Sequence, residues 1–216
     1  MSLPALATKR RDRPMALTPT PGQILGPYYP LSPDPGADGD AARRPGAAHD
    51  PAGTKVRIEG HVLDTTGRPL PGVLVEIWQC DANGIYPHPK APKSAQVDPD
   101  FEGYARCITA ADGTYAFRAL RPVSYPGRAP HIHVKVTAPG AEPLITQIYV
   151  EGEPENRDDF ALLRATQPER AALIIPFRPV SGPDVQFAGR FDIVLDHRRQ
   201  DPAGPRERRD ADALPR

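Results

Sequence analysis

The chain has 216 residues, with 27 Lys and Arg balanced by 27 Asp and Glu, and 29 prolines. At about 100–200 residues per domain, this length suits one domain with extensions. A net charge of zero excludes a general polyanion binder, so no nucleic acid partner is expected. No apolar run reaches the ~20 residues that a membrane span needs. Proline breaks helix interiors and central strands, so its abundance points to a loop-rich β fold.

Residues 1–17 carry Lys9, Arg10, Arg11 and Arg13 with no apolar run behind them. They read as a flexible arm rather than a secretory signal or transit peptide. Two cysteines, Cys80 and Cys107, are too few for a disulfide framework, and a cytoplasmic chain is expected. Residues 18–53, rich in proline and glycine, form a long irregular segment expected to pack on the core or to make an interface.

The pattern then changes. Residues 54–64 alternate Val56, Ile58 and Val62, with Gly60 read as a bulge. Residues 72–81 put Val73, Val75 and Ile77 on one face and Leu74, Glu76 and Trp78 on the other. Asn83-Gly84 signals a turn. Tyr104–Ile108 and Gly113–Phe117 read as a hairpin around Asp112-Gly113. Residues 131–138, 144–152 and 189–196 complete about seven strands, a spacing that predicts an all-β antiparallel β-sandwich or barrel over 54–196. One short helix is expected at Arg157 to Thr166. Residues 197–216, with six Arg and four acids, read as a charged, solvated tail.

The chemistry concentrates in Tyr125-Pro126-Gly127-Arg128-Ala129-Pro130-His131-Ile132-His133. Side chains alternate along a strand, so His131 and His133 share a face and can share a cation. His49, His61 and His197 are isolated and read as surface or structural residues. Zinc would normally add cysteine or carboxylate, and the cysteines do not cluster here. Calcium and magnesium need many oxygen ligands. A facial Fe(II) site needs an acid, for which Glu151 and Asp158 stay open. Tyrosine is the other candidate: a phenolate is a hard anionic donor suited to Fe(III). With an intrinsic pKa of about 10, it stays ionised at neutral pH only beside a highly charged ion.

Three stretches, GVLVEIWQCDANGIYPHP (72–89), DGTYAFRALRPVSYPGRAPHIHVKV (112–136) and LITQIYVEG (144–152), resemble the core of the intradiol ring-cleavage dioxygenases. TPGQILGPYYP (20–30) is similar to the segment before that core, so the resemblance spans roughly residues 18–196. It implies a transthyretin-like (prealbumin-like) β-sandwich and one mononuclear non-haem Fe(III) held by Tyr86, Tyr125, His131 and His133. Two phenolates and a hydroxide would neutralise the ion and permit its burial. The implied reaction cleaves a catechol-type or protocatechuate-like aromatic diol with O2, between its hydroxyl-bearing carbons, to a cis,cis-muconate. Tyr125 would leave the metal and take a substrate proton. Arg128 would stabilise negative charge on the ring, and Gln147 would help polarise the diol. Trp78 reads as core, and His88 matches a position that is not a ligand.

The chain departs from the family in two ways. The gap from Tyr125 to His131 is shorter than in protocatechuate enzymes, which predicts a more open pocket rim. The helical amino-terminal domain of catechol and hydroxyquinol enzymes has no counterpart, so the size resembles a protocatechuate 3,4-dioxygenase beta-type subunit or a small stand-alone relative. A homo-oligomer, or a hetero-oligomer with a related subunit, is implied. A substrate carboxylate would need a cation, with Arg106 and Arg121 as candidates. The competing reading is a non-catalytic module, because VRIEGHVLDTTGRPLPGVLVEI (56–77) also resembles transthyretin-like and carboxypeptidase-regulatory-like domains. Such modules have no reason to keep Tyr86, Tyr125, His131 and His133 together.

Overall fold

Val56, Ile58 and Val62 project inward from one sheet, and Val75, Ile77, Ile132, Val134 and Ile148 meet them from another. The computed structural model describes residues 16–33, 39–92 and 96–196. The expected tail, and the expected arm apart from residues 16 and 17, lie outside them. The strands are β1 (Lys55–Asp64), β2 (Leu74–Trp78), β3 (Tyr104–Ile108), β4 (Thr114–Leu120), β5 (His131–Thr137), β6 (Leu144–Val150), β7 (Ile174–Ile175), β8 (Arg178–Pro179), β9 (Phe187–Arg190) and β10 (Ile193–Leu195). In the first sheet β4 lies on one side of β1, β9 and β10 lie on the other, and β8 follows β9. The second runs β3-β2-β5-β6-β7. The expected sandwich is present, and most pairings are antiparallel. Those of β1 with β9 and β10, and of β6 with β7, are parallel.

Three local expectations are corrected. Gly60 is not a bulge: the β1–β4 register runs through it without a slip, with Gly60 opposite Tyr115. It is glycine because Phe191 crosses there, and a Cβ would lie 2.0 Å from the Phe191 carbonyl oxygen. The turn at 109–113 is not a hairpin. It hands the chain from β3 in the second sheet to β4 in the first, because β3 pairs with β2 and β4 with β1. The helix is displaced: 157–166 holds two 3-10 turns, Pro154–Arg157 and Leu162–Arg164, and α1 spans Gln167–Leu173. Glu169 accepts the Thr166 N–H at 2.7 Å and Pro168 sits in the first turn, where its missing N–H costs no helical bond.

The outer face of the second sheet is also buried. His131 and His133 project there, opposite Tyr149 and Gln147 of β6. The segment 20–30 crosses this face as a strap. Gln23 N–H donates to Ile145 O at 2.7 Å, Thr146 Oγ1 to Pro21 O at 2.8 Å, and Gln147 Nε2 to Ile24 O at 2.9 Å. Farther along, Glu76 accepts Tyr29 Oη and Tyr104 Oη, each at 2.8 Å, and pairs with Lys135 Nζ at 3.2 Å. A sheet covered on both faces explains why β5 is buried at both its alternating sets of positions.

Candidate metal centre

Two loops and one strand assemble the site. Tyr86 follows a turn organised by Asp81, whose Oδ1 accepts the N–H groups of Asn83 and Ile85, each at 2.9 Å. Gly84 adopts φ +77°, and a Cβ there would come within 3.0 Å of Tyr125 Cβ. Glycine thus permits both the backbone of the turn and the close approach of the two tyrosine loops. Tyr125-Pro126-Gly127-Arg128 is a tight turn closed by Arg128 N–H on Tyr125 O at 2.9 Å. Proline in the second position and glycine at φ +81° in the third suit a type II turn. It sets Tyr125 and Arg128 side by side, with Nη1 3.5 Å from Tyr125 Oη.

The four rings surround one point. His131 Nε2 and His133 Nε2 face each other at 3.2 Å. Ring centroids lie 5.7 Å apart for Tyr86 and Tyr125, 5.6 Å for Tyr125 and His131, and 6.2 Å for Tyr86 and His133. His131 Nδ1 donates to Ala129 O at 2.7 Å, which leaves Nε2 with its lone pair. Burial, then the Arg128 charge, holds His131 down to about 4. Burial and His131 hold His133 well below the usual range. Both imidazoles are therefore neutral donors. Tyr86 is buried and its hydroxyl makes no well-formed hydrogen bond. Burial, and then the neighbouring Tyr125, push it well above an ordinary phenol. Tyr125 is also raised by burial, with Arg128 opposing the shift.

This arrangement fits a strongly charged ion. The two imidazole Nε2 atoms converge beside a buried phenol that makes no well-formed hydrogen bond, an under-satisfied group that normally signals a missing ligand. Only a high charge would ionise phenols held above their ordinary pKa. Among the described residues, no cluster of three His, Cys, Asp or Glu is placed to hold a metal. Of the acids left open, Glu151 pairs with Arg178 at 3.8 Å, and Asp158 is exposed on a cleft rim.

Arg128 is not a surface residue. It is buried, with Nε on Asp159 Oδ2 at 2.8 Å and Nη2 on Gln147 Oε1 at 2.6 Å. Burial works against its charge, but Asp159 outweighs it and keeps the guanidinium above its usual value. Trp78 is buried in a small core cluster with Cys80, Tyr86 and Tyr104, as expected, and there it stacks on His133 with centroids 4.7 Å apart and planes 6° apart. His88 is buried, and its Nδ1 accepts the Lys90 N–H at 3.1 Å. Arg121 is paired with Glu153 at 2.7 Å, and Arg106 stands opposite Glu76 on β3. Neither lines the clefts beside the tyrosines.

Sequence reasoning missed Tyr28, Tyr149 and Asp159. Tyr28 stacks on Tyr86 at 4.5 Å. Tyr149 Oη donates to Gln147 Oε1 at 2.8 Å, and strand alternation from Gln147 could have found it. Nothing local marks Asp159 over Asp158. Of the clefts that border the tyrosines, two share Tyr125. One of about 400 Å3 is lined by Tyr28, Ile85, Tyr86, Pro92, Tyr125 and Pro126. The other, about 490 Å3, is lined by Tyr125 and Arg128, with Glu155 and Asp158 at its edge. Both fall in the usual small-ligand range of roughly 300–1,000 Å3.

The fold is a β-sandwich in which two loop tyrosines meet two histidines of β5 over the outer face of one sheet. Residues 24–197 match the family model Dioxygenase_C, described as dioxygenase. The chain belongs to the intradiol ring-cleavage dioxygenase family, which typically uses non-haem Fe(III). It is 32% identical over 203 residues to a catechol 1,2-dioxygenase of Candida albicans, covering 82% of this chain and 61% of that protein. It is 35% identical over 156 residues to a protocatechuate 3,4-dioxygenase beta chain of Burkholderia cepacia, covering 68% and 66%. The chain thus spans less than two thirds of the length of either relative. Among solved structures, the dioxygenase domain of a dioxygenase carbohydrate-binding protein fusion from Streptomyces sp. SirexAA-E is similar at 34% identity. Its TM-score is 0.60, covering 83% of this chain and 99% of that one.

Proposed function

We propose that this chain is an Fe(III)-dependent intradiol dioxygenase. It would cleave a catechol-type diol with O2 between the hydroxyl-bearing carbons, both oxygen atoms entering a cis,cis-muconate-type product. The observation that carries this reading is the convergence of the two histidine Nε2 atoms at 3.2 Å beside the under-satisfied Tyr86 hydroxyl. Tyr86, Tyr125, His131 and His133 would hold the ion. Bound there, Fe(III) supplies an electron-accepting centre that makes the diol ring reactive toward O2.

The protein's own groups do the rest. His131 and His133 offer neutral nitrogen donors. Tyr86, beneath Tyr28 and deeply buried, is the fixed phenol. Tyr125 is half-buried and stands beside a cleft, so it would be the ligand that exchanges: ionised beside the metal, its phenolate Oη would take a proton from the diol and leave as the neutral phenol. Arg128 keeps a positive charge 3.5 Å from Tyr125 Oη and favours negative charge on substrate oxygens. Gln147, on Arg128 and the strap, orients that guanidinium.

The relatives' names point to catechols and protocatechuate as the substrates to try. We further propose a cytoplasmic location, supported by two free cysteines, and an oligomer, which the family often forms.

Colour tests the centre. Iron-loaded protein is expected to be red from phenolate-to-iron charge transfer, and Tyr125→Phe to weaken the colour and slow turnover. Colourless iron-loaded protein would reject the proposal. Oxygen uptake with catechol, protocatechuate, hydroxyquinol and chlorinated catechols then identifies the substrate.

A further inference from the structure

Asp159 is almost fully buried, at 1% exposure, and makes more contacts than its turn requires. Its Oδ1 accepts the N–H groups of Ala161 at 3.0 Å and Leu162 at 2.9 Å, which builds the turn. Tyr149 Oη approaches the same oxygen at 3.3 Å. Oδ2 serves a different loop: it accepts Arg128 Nε at 2.8 Å and Ala129 N–H at 2.9 Å.

Both Oδ2 contacts lead into the candidate centre. A guanidinium is planar, so anchoring Nε sets the directions of both Nη groups. With Nε held, Nη2 meets Gln147 at 2.6 Å and Nη1 points at Tyr125 Oη, 3.5 Å away. The second contact holds Ala129, the residue whose carbonyl accepts His131 Nδ1 at 2.7 Å. That carbonyl sets the tautomer and the ring plane of His131, an outer-sphere arrangement that tunes metal ligands. Exposed Asp158, its sequence neighbour, takes no part.

We propose that Asp159 is a positioning residue. From one buried carboxylate oxygen it aims Arg128 at the exchanging tyrosine, and through Ala129 it holds His131 with Nε2 toward the metal. The proposal rests on the Fe(III) dioxygenase reading. Asp159 touches neither metal nor diol and acts only through these two residues.

Asp159→Asn keeps the size and the Oδ1 acceptor but sets an amide against donors. Loss of an outer-sphere partner typically costs about 10–100-fold in metal affinity or activity. Fe(III) release to a chelator should therefore quicken by at least about tenfold. kcat should fall by a similar factor, with a smaller change in KM. In an Arg128→Gln background the further loss of kcat should shrink to under about threefold, because coupled residues are not additive. The effect on iron release should persist there, since it runs through Ala129. Equal multiplicative losses in both backgrounds, or unchanged iron release, would overturn the role. Should Asp159→Asn not fold, the wild type decides. Nitrogen-15 NMR of the metal-free protein should show an Arg128 Nε–H protected from solvent exchange, and free exchange would reject the proposal. A wild type that loads iron without colour and cleaves no diol sinks the dioxygenase reading itself. A coloured, active wild type matched by Asp159→Asn sinks only the role of Asp159.

Discussion

Burial pushes the Cys80 thiol up to about 12, and the nearby Asp81 charge adds to it. Cys107 is half-buried on β3. A thiol reacts with a disulfide reagent only as thiolate and only where the reagent reaches it, so native protein at pH 8 should show a single fast-reacting thiol, the more accessible Cys107. Cys80 should appear after denaturation, and two fast thiols would contradict its placement beside Tyr86. The same desolvation that silences Cys80 raises Tyr86, yet Tyr86 is the group left under-satisfied. The difference in fate is one of company: Tyr86 shares its point with Tyr125, His131 and His133. The histidine pair was legible from residue spacing alone, because alternation in β5 is local. The burial of Trp78 was legible too, but not its stacking on His133, because alternation gives a face and not what covers that face, and the cover is a strap from far upstream.

At the scale of elements, close approaches set what the strands tolerate. A Cβ at Gly60 would lie 2.0 Å from the Phe191 carbonyl. Backbone cannot yield as a side-chain tip can, so Gly60→Ala should cost about 1–3 kcal/mol or more, measured by denaturant unfolding. A loss below 1 kcal/mol on the same order-of-magnitude scale would mean that the crossing is loose. The turn after β1 makes a pH prediction. Burial opposes the Asp64 charge, but Thr66 and Arg68 outweigh it and hold its carboxyl below the usual range. A lowered folded pKa gives stability that is full above the unfolded value of about 3.9 and is lost as pH falls through the folded one. Asp64→Asn should therefore lower Tm at pH 7 and flatten its acid limb. Scanning calorimetry from pH 7 to pH 2 checks this, and parallel Tm curves would refute it. Helix and hairpin were misplaced for related reasons. Asp159 spends its carboxylate on a tight turn inside the expected helix, and β3 and β4 find better partners in different sheets.

Across the whole molecule, the strap decides whether the outer sheet face is dry. Glu76 gathers Tyr29, Tyr104 and Lys135 and pins the strap beyond Tyr28, which lies on Tyr86. Glu76→Gln should cost about 2 kcal/mol, the range of a hydrogen bond to a charged group. It should also speed proteolysis near residues 20–30 and loosen iron, all without touching a proposed ligand. Unchanged proteolysis would mean that the strap is held elsewhere. Strand periods, turn residues and the pairing of His131 with His133 depend on neighbours a few residues apart, so the sequence by itself determined the sandwich class and the candidate ligand chemistry. The division of strands between sheets, the burial of Arg128, the stacking of Trp78 and the choice of Asp159 over Asp158 were decided only by tertiary structure. Each joins segments tens of residues apart in the chain, where competing partners differ in packing and desolvation rather than in local pattern.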